Sequence, residues 1–157
     1  MDAALELQIA AGSVIVLDSS AVLAYLDGGE QVSGAATHVI DGLVRSGRNL
    51  GVISAVTVTE ALVRPLRLAH DAIAAVEDFL RNFPNLTIVP IDYAVSHEAA
   101  RIRALTGLRT ADALVMATAV VSGASVVVGN DERWKSAVDK LGAPFALCLL
   151  SDFARQP

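Results

Sequence analysis

Four carboxylates lie beside the most apolar stretches of the chain, where acidic side chains are least expected: Asp18, Glu60, Asp112 and Asp131. A carboxylate in such a place costs free energy unless it is paired, protonated or bound to a cation. Brought together, these acids would form an oxygen-rich site that suits Mg²⁺ or Mn²⁺ better than zinc. The sequence has no cluster of Cys and His that would offer a softer site. The acids therefore predict a centre for a hard divalent metal.

Taken one at a time, three of the acids have ordinary structural explanations. Asp18 could cap the helix that follows it, and Asp131 could interact with the dipole of a helix start. Glu60 has an arginine four residues later, which is the spacing of an exposed ion pair on a helix. Asp112 is harder to explain this way, because residues 113–121 of its helix carry no charge.

The acids must be positioned by the strands and helices around them. Apolar patterns typical of strands alternate with helical patterns along the whole chain. Strands are predicted at residues 13–17, 50–54, 86–90, 125–128 and 145–150. Helices are predicted at residues 21–27, 32–46, 55–65, 70–82, 92–105, 110–122 and 131–141, with Pro65 ending or kinking the third. The sequence contains no β-hairpin signal. The pattern predicts a single α/β domain, with a parallel sheet covered by helices on both faces.

Parallel sheets of this kind gather ligands at the carboxyl ends of their strands. Asp18 and Asp131 follow apolar strands directly or within three residues, and Glu60 lies six residues past a strand. Asp112 must reach the same edge from the start of its own helix. We therefore expect all four carboxylates on one edge of the sheet.

Composition limits the class of protein. The 157 residues fit one domain, predicted at 13–150, with an N-terminal extension at 1–12 and a tail at 151–157. The net charge of −5 counts against a stoichiometric DNA or RNA binder. It counts less against an enzyme, because bound metal would reverse the sign of the acidic site. The hydrophobic share of 54% favours a dimer or another protein partner.

Other functional classes find no support in the sequence. It has no G-x-S-x-G, P-loop or G-x-G-x-x-G motif, and its single cysteine, Cys148, lies in an apolar run. The N-terminus lacks the basic region of a signal peptide, and no run reaches the roughly 18–20 apolar residues of a membrane span. The sequence predicts a cytoplasmic protein.

The segments LDSSAVLAYL, SAVTVTE, RTADALVMATA and VVVGNDERW resemble the four successive motifs of PIN-domain ribonucleases, particularly VapC-type toxins of bacterial toxin–antitoxin pairs. The resemblance extends over about residues 13–150. It implies a three-layer α/β/α sandwich with a mostly parallel sheet. It also implies a Mg²⁺- or Mn²⁺-dependent endoribonuclease that a cognate antitoxin inhibits.

The resemblance assigns a role to each acid. Such a nuclease needs an activated water and neutralisation of the charge on the phosphate, which one or two hard cations supply. Asp18 and Asp112 would be the principal ligands, Glu60 a ligand or a base that orients the water, and Asp131 a ligand, direct or through water. Further roles would belong to neighbouring residues: Ser20, and less strongly Ser19, would hydrogen-bond a carboxylate, and Arg109 or Arg133 would hold a substrate phosphate.

The fourth motif departs from the family pattern, which usually reads Thr or Ser, any residue, Asp, any residue, Asp, aromatic. Gly129 stands in place of the hydroxyl residue and Arg133 in place of the second acid, whereas Trp134 keeps the aromatic position. A cation two residues after Asp131 could either clamp phosphate or weaken metal binding. This departure bears on the role of Asp131.

Two alternatives stay open. One is a metal-dependent phosphatase or phospho-acceptor domain built around Asp18, although Lys135 and Lys140 do not follow a strand as such a site would require. The other is a PIN-like fold that has lost its chemistry and only binds a partner. For an antitoxin, the helices predicted at 32–46 and 55–82 are the candidate groove.

Overall fold

The computed structural model of the protein describes residues 3–68 and 70–154. Within them lies one five-stranded sheet in the order β3-β2-β1-β4-β5, in which every neighbouring pair is parallel. The strands are β1 Val14–Leu17, β2 Leu50–Ser54, β3 Leu86–Val89, β4 Val126–Gly129 and β5 Ala146–Leu149. The predicted parallel α/β fold is confirmed. Because the strand order reverses between β1 and β4, ligands are expected at the carboxyl ends of these two strands.

Helices cover both faces of the sheet and make three layers. They are α1 Ala3–Gln8, α2 Ser19–Asp27, α3 Ser33–Thr37, α4 Ala55–Leu68, α5 His70–Asn82, α6 Tyr93–Thr106, α7 Thr110–Val121 and α8 Trp134–Leu141. A π-helical segment, His38–Arg45, continues α3, and a 3₁₀ turn, Leu150–Phe153, follows β5. Strand β1 contributes side chains to the hydrophobic clusters on both faces of the sheet. Ile15 and Leu17 belong to one cluster, and Val16 belongs to the other.

Pro65 does not end α4, which continues to Leu68. Pro65 lacks the N–H that would bond to the carbonyl one turn earlier, but α4 continues for three residues past it and packs along α5. Tertiary contact therefore outweighs the local stop signal.

The N-terminal segment packs against the domain. Leu5 and Ile9 are fully buried in the first cluster. Arg48 donates from Nη1 to the carbonyl of Ile9 (3.0 Å), and Asn49 donates from Nδ2 to the carbonyl of Ala10 (2.8 Å). The division into extension, domain and tail stays a prediction, and residues 1–2 and 155–157 of it lie outside the described residues.

Across the described ranges, no single helix is long and apolar enough to cross a membrane. Taken together, α6 and α7 would meet the length and composition, but they meet at a bend of 119°.

Candidate metal centre

Asp18 lies between β1, the central strand of the sheet, and α2. Its backbone N–H donates to the carbonyl of Val128 (2.9 Å), so the end of β1 is hydrogen-bonded to the end of β4. The residue is the N-cap of α2, and its Oδ2 accepts from the backbone N–H of Ser20 (3.2 Å) and from the Ser20 hydroxyl (2.8 Å). The Ser19 hydroxyl approaches Oδ1 at 3.5 Å. The predicted contact between Ser20 and the first carboxylate is present.

The Asp18 carboxylate is buried, with 7% of the residue exposed. Burial raises the pKa of Asp18, the hydrogen bonds from Ser20 and Ser19 act against this rise, and the negative charge of Glu60 adds to it. Among the described residues, no basic side chain forms an ion pair with Asp18. Asp18 is thus a buried carboxylate without a counter-cation, beside a second acid.

Gly129 allows β4 to approach this carboxylate. A Cβ atom added at Gly129 would lie 3.3 Å from Cβ of Asp18, closer than most such contacts, and 3.5 Å from its Oδ2. The motif therefore has its smallest residue where β4 runs beside the buried acid.

Glu60 lies in α4 and is half-buried. The ordinary explanation for it, an ion pair with Arg64 one turn later, is not what the structure contains. Arg64 donates instead from Nη1 to Oδ2 of Asp27 on α2 (3.0 Å). The negative charge of Glu60 instead acts on the carboxylate of Asp18.

Asp112 and Asp131 each contact an arginine. Arg109, the N-cap of α7, donates from Nε to Oδ2 of Asp112 (3.0 Å). Arg133 donates from Nε to both carboxylate oxygens of Asp131 (2.9 and 3.1 Å), and its Nη2 and backbone N–H contact the same group. The hydrogen bond from the Arg133 guanidinium lowers the pKa of Asp131, and burial only partly offsets it.

A cavity of about 250 Å³ lies between α6, α7 and α8, and Asp112 and Asp131 both line it. The lining also contains Arg109 and Arg133, with residues that the sequence analysis did not assign to the site: Thr106, Trp134, Ser136 and Lys140. Arg133, Ser136 and Lys140 are spaced by three and four residues, which places them on one face of a helix. This spacing is the feature of the sequence that indicates that Ser136 and Lys140 lie near Arg133.

The structure shows two proximities among the four acids: the charge of Glu60 acts on Asp18, and Asp112 and Asp131 line one cavity. In the part of the chain that the structure describes, no three His, Cys, Asp or Glu side chains lie close enough to hold one metal ion. The ligand set therefore stays a prediction. The donor chemistry fits a hard cation, because the acids offer only oxygen and Asp18 lacks any positive partner within the described ranges.

The sequence model of the PIN domain family matches residues 15–140, most of the chain. The chain belongs to the PIN domain family. This membership confirms the resemblance of the four motifs and agrees with the observed three-layer fold.

Solved structures share this PIN-domain fold. VapBC2 from Rickettsia felis, bound to a DNA fragment from its promoter, has a TM-score of 0.68 at 12% identity and covers 87% of this chain and 98% of its own. VapC20 from Mycobacterium tuberculosis, described as a toxin that cleaves the sarcin–ricin loop, has a TM-score of 0.65 at 16% identity, covering 78% and 94%. VapBC-5 from the same organism, a member of the VapBC family of toxin–antitoxin systems, has a TM-score of 0.60 at 21% identity, covering 87% and 98%. At these identities the likeness shows the fold alone. A comparison with curated proteins finds no match.

Proposed function

We propose that this protein is a Mg²⁺- or Mn²⁺-dependent endoribonuclease, a hydrolase of RNA phosphodiester bonds, and the toxin of a toxin–antitoxin pair. The observation that carries the proposal is the buried Asp18 carboxylate, which has no basic partner among the described residues and lies beside Glu60 at the switch point of the sheet. A divalent cation there would lower the pKa of a bound water and neutralise charge on the phosphate. Membership in the PIN domain family and the toxins among the similar structures support it.

Asp18 and Asp112 would be the principal ligands of the cation, with Glu60 and Asp131 as further ligands. Glu60, half-buried and close to Asp18, would alternatively orient the attacking water. The chain's own contribution is to hold these oxygens in place. Ser20 fixes one carboxylate oxygen of Asp18 with two hydrogen bonds, so the other oxygen is left with the long contact to Ser19.

Substrate phosphate would bind at the basic residues of the cavity. Arg109, Arg133 and Lys140 line it together with two of the acids, which concentrates positive charge in a protein of net charge −5. Guanidinium groups bind phosphate through paired hydrogen bonds. A cavity lined by carboxylates and by arginines in contact with them suits a phosphodiester held against a metal centre.

The antitoxin would cover the groove between α2, α4 and α5. This groove has a volume of about 330 Å³ and is lined mainly by apolar side chains, among them Leu23, Leu26, Ala61, Pro65 and Val76. Along α4, Leu66 and Leu68 are 65% and 72% exposed. Such a surface favours an apolar helix from a partner protein.

The first prediction tests the chemistry directly. Asp18→Asn and Asp112→Asn should each reduce Mg²⁺- or Mn²⁺-dependent RNA cleavage by at least about 100-fold, since removing even an outer-shell partner of a metal ligand produces losses of 10- to 100-fold. Cleavage of total RNA by the purified protein, with sequencing of the new ends, measures the effect and identifies the target.

Asp92→Asn is the matched control, because Asp92 caps α6 through the backbone N–H of Val95 (2.9 Å) but is exposed. It should retain activity. Full activity of the wild type in EDTA would contradict the proposal.

A binding module without catalysis is the second candidate, favoured by the ion pair that occupies Asp131. In that case Asp18→Asn would leave the toxicity of the expressed protein unchanged. A metal-dependent phosphatase would instead hydrolyse a phosphomonoester such as p-nitrophenyl phosphate and leave RNA intact. The cytoplasmic location stays a prediction.

A further inference from the structure

Two of the acids at the candidate metal centre already carry a positive partner. Arg133 spans both oxygens of Asp131 with its guanidinium fork, and Arg109 contacts Oδ2 of Asp112. Each arginine also interacts electrostatically with the acid of the other pair, Arg109 with Asp131 and Arg133 with Asp112. The cavity wall therefore contains two acid–arginine pairs.

Asp18 is the contrasting case. It is the most buried of the four acids and has no basic partner within the described ranges, whereas the two acids with arginine partners are half-buried. Arg133 therefore brings a positive charge into direct contact with Asp131.

We propose that Arg133 and Arg109 are tethered counter-cations that compete with the divalent metal for Asp131 and Asp112. The inference rests on the proposed metal centre. A carboxylate oxygen engaged by a guanidinium N–H has fewer lone pairs free for a metal ion, and each arginine charge repels a second cation nearby. Metal binding would displace the two arginines from their acids, so the metal affinity of this chain is set below that of the bare carboxylates.

The chain offers a matched control on α6. Arg101 donates from Nε to both oxygens of Glu98 (3.2 and 3.0 Å), the same fork geometry as Arg133 with Asp131, but the pair does not line the cavity. Replacing Arg101 changes the net charge of the protein by the same amount as replacing Arg133. It leaves the candidate site intact.

The experiment is a calorimetric titration of the full-length protein with Mn²⁺, for the wild type, Arg133→Gln, Arg109→Gln, the double variant and Arg101→Gln. Arg133→Gln and Arg109→Gln should each bind Mn²⁺ roughly two- to fivefold more tightly, the range expected for losing one exposed ion pair, and the double variant more tightly still. Arg101→Gln should match the wild type. Arg133→Lys, which keeps the charge but lacks the fork, should gain less than Arg133→Gln. Thermal unfolding of each variant checks that it is folded.

Equal or weaker Mn²⁺ affinity in both cavity variants, or an equal gain in Arg101→Gln, would overturn the inference. RNA cleavage is measured on the same samples to separate the two proposals. If Mn²⁺ binds more tightly to the cavity variants but no protein cleaves RNA, the competition stands and the nuclease proposal fails. If the wild type cleaves RNA with Mn²⁺ and the affinities do not change, only the competition fails. Absence of Mn²⁺ binding in every protein overturns the competition.

Discussion

Asp18 has two structural roles with opposite effects on the stability of its charged carboxylate. As the N-cap of α2 it accepts hydrogen bonds from Ser20, which stabilise both the helix start and the charged carboxylate. As a buried acid next to Glu60 it pays a desolvation cost that raises its pKa. The residue is a local weakness in the folded protein that a bound cation would relieve.

The second prediction follows from the raised pKa of Asp18. The folded state binds this proton more tightly than the unfolded state, whose pKa is near the ordinary value of 3.8. Stability is therefore lost as pH rises from 3.8 through the folded pKa, and no penalty is present below 3.8. Asp18→Asn keeps a good capping residue and removes the buried charge. Without divalent metal, it should unfold at a higher urea concentration than the wild type at pH 7, with the gain disappearing as the pH falls below 3.8.

Mn²⁺ should reverse the order, because it binds only the folded wild type at this position and stabilises it. Urea unfolding monitored by circular dichroism, with and without Mn²⁺, measures both effects. Asp92→Asn, at an exposed cap, should show neither. Equal stability of Asp18→Asn and the wild type across the pH range would contradict the assigned cost of the buried charge.

The acids could be identified from the sequence, but their partners could not. Asp18 and Asp112 were visible because charge in an apolar run is unusual in any fold. Whether Arg64 meets Glu60 or Asp27 depends on how α2 lies against α4, which no local pattern encodes. The fold-back of Arg133 onto Asp131 likewise depends on the turn after β4.

At the scale of elements, the strands follow short apolar runs, whereas the end of α4 follows its packing. The strands were predicted to within a residue or so because each is a short, mostly apolar run between helical patterns. Pro65 was misleading, because its effect depends on what α4 packs against rather than on the residue itself. The inclusion of Lys140 in the cavity depends on how α8 is rotated against α6, which is a property of packing.

The third prediction concerns the contact between β2 and its neighbours. Gly51 is buried, and a Cβ atom there would lie 2.8 Å from Cγ1 of Val44 and 2.9 Å from Cδ1 of Leu86. Gly51→Ala should lower the free energy of unfolding by about 1–3 kcal/mol, the usual cost of overpacking. Gly34→Ala, in the exposed part of α3 with no atom within 4 Å, should raise it by roughly 0.5–1 kcal/mol.

Urea unfolding of both glycine variants measures this difference. Similar values for the two would show that Val44 and Leu86 can move aside.

At the scale of the whole molecule, the fourth prediction concerns the antitoxin groove. Ala75 is exposed and lines the groove between α2, α4 and α5. Ala75→Glu should prevent co-purification of a small partner protein from the native host with the tagged chain, because a charge would be buried in an apolar interface. RNA cleavage by the purified variant should match the wild type. Ala104→Glu, exposed on α6, is the control that should leave both properties unchanged.

The fifth prediction concerns self-association. A chain with 54% hydrophobic residues, several of them large and exposed, favours a homodimer. Light scattering of the purified protein at micromolar concentration should give about twice its 16.3 kDa mass. A monomeric mass would count against a dimer, and it would leave the site chemistry untouched.

The position of β1 between β2 and β4 determines at what stage of synthesis the site can form. One side of β1 pairs with β2, which follows soon in the chain, but the other side pairs with β4, and Ile15 lies opposite Val126. During synthesis, the ribosome must therefore deliver most of the polypeptide before Asp18 acquires its neighbours Val128 and Gly129. A nascent or prematurely terminated chain carries the first acids without the last. If the protein is a toxin, its cell is exposed to the complete site only after translation of each copy is nearly finished.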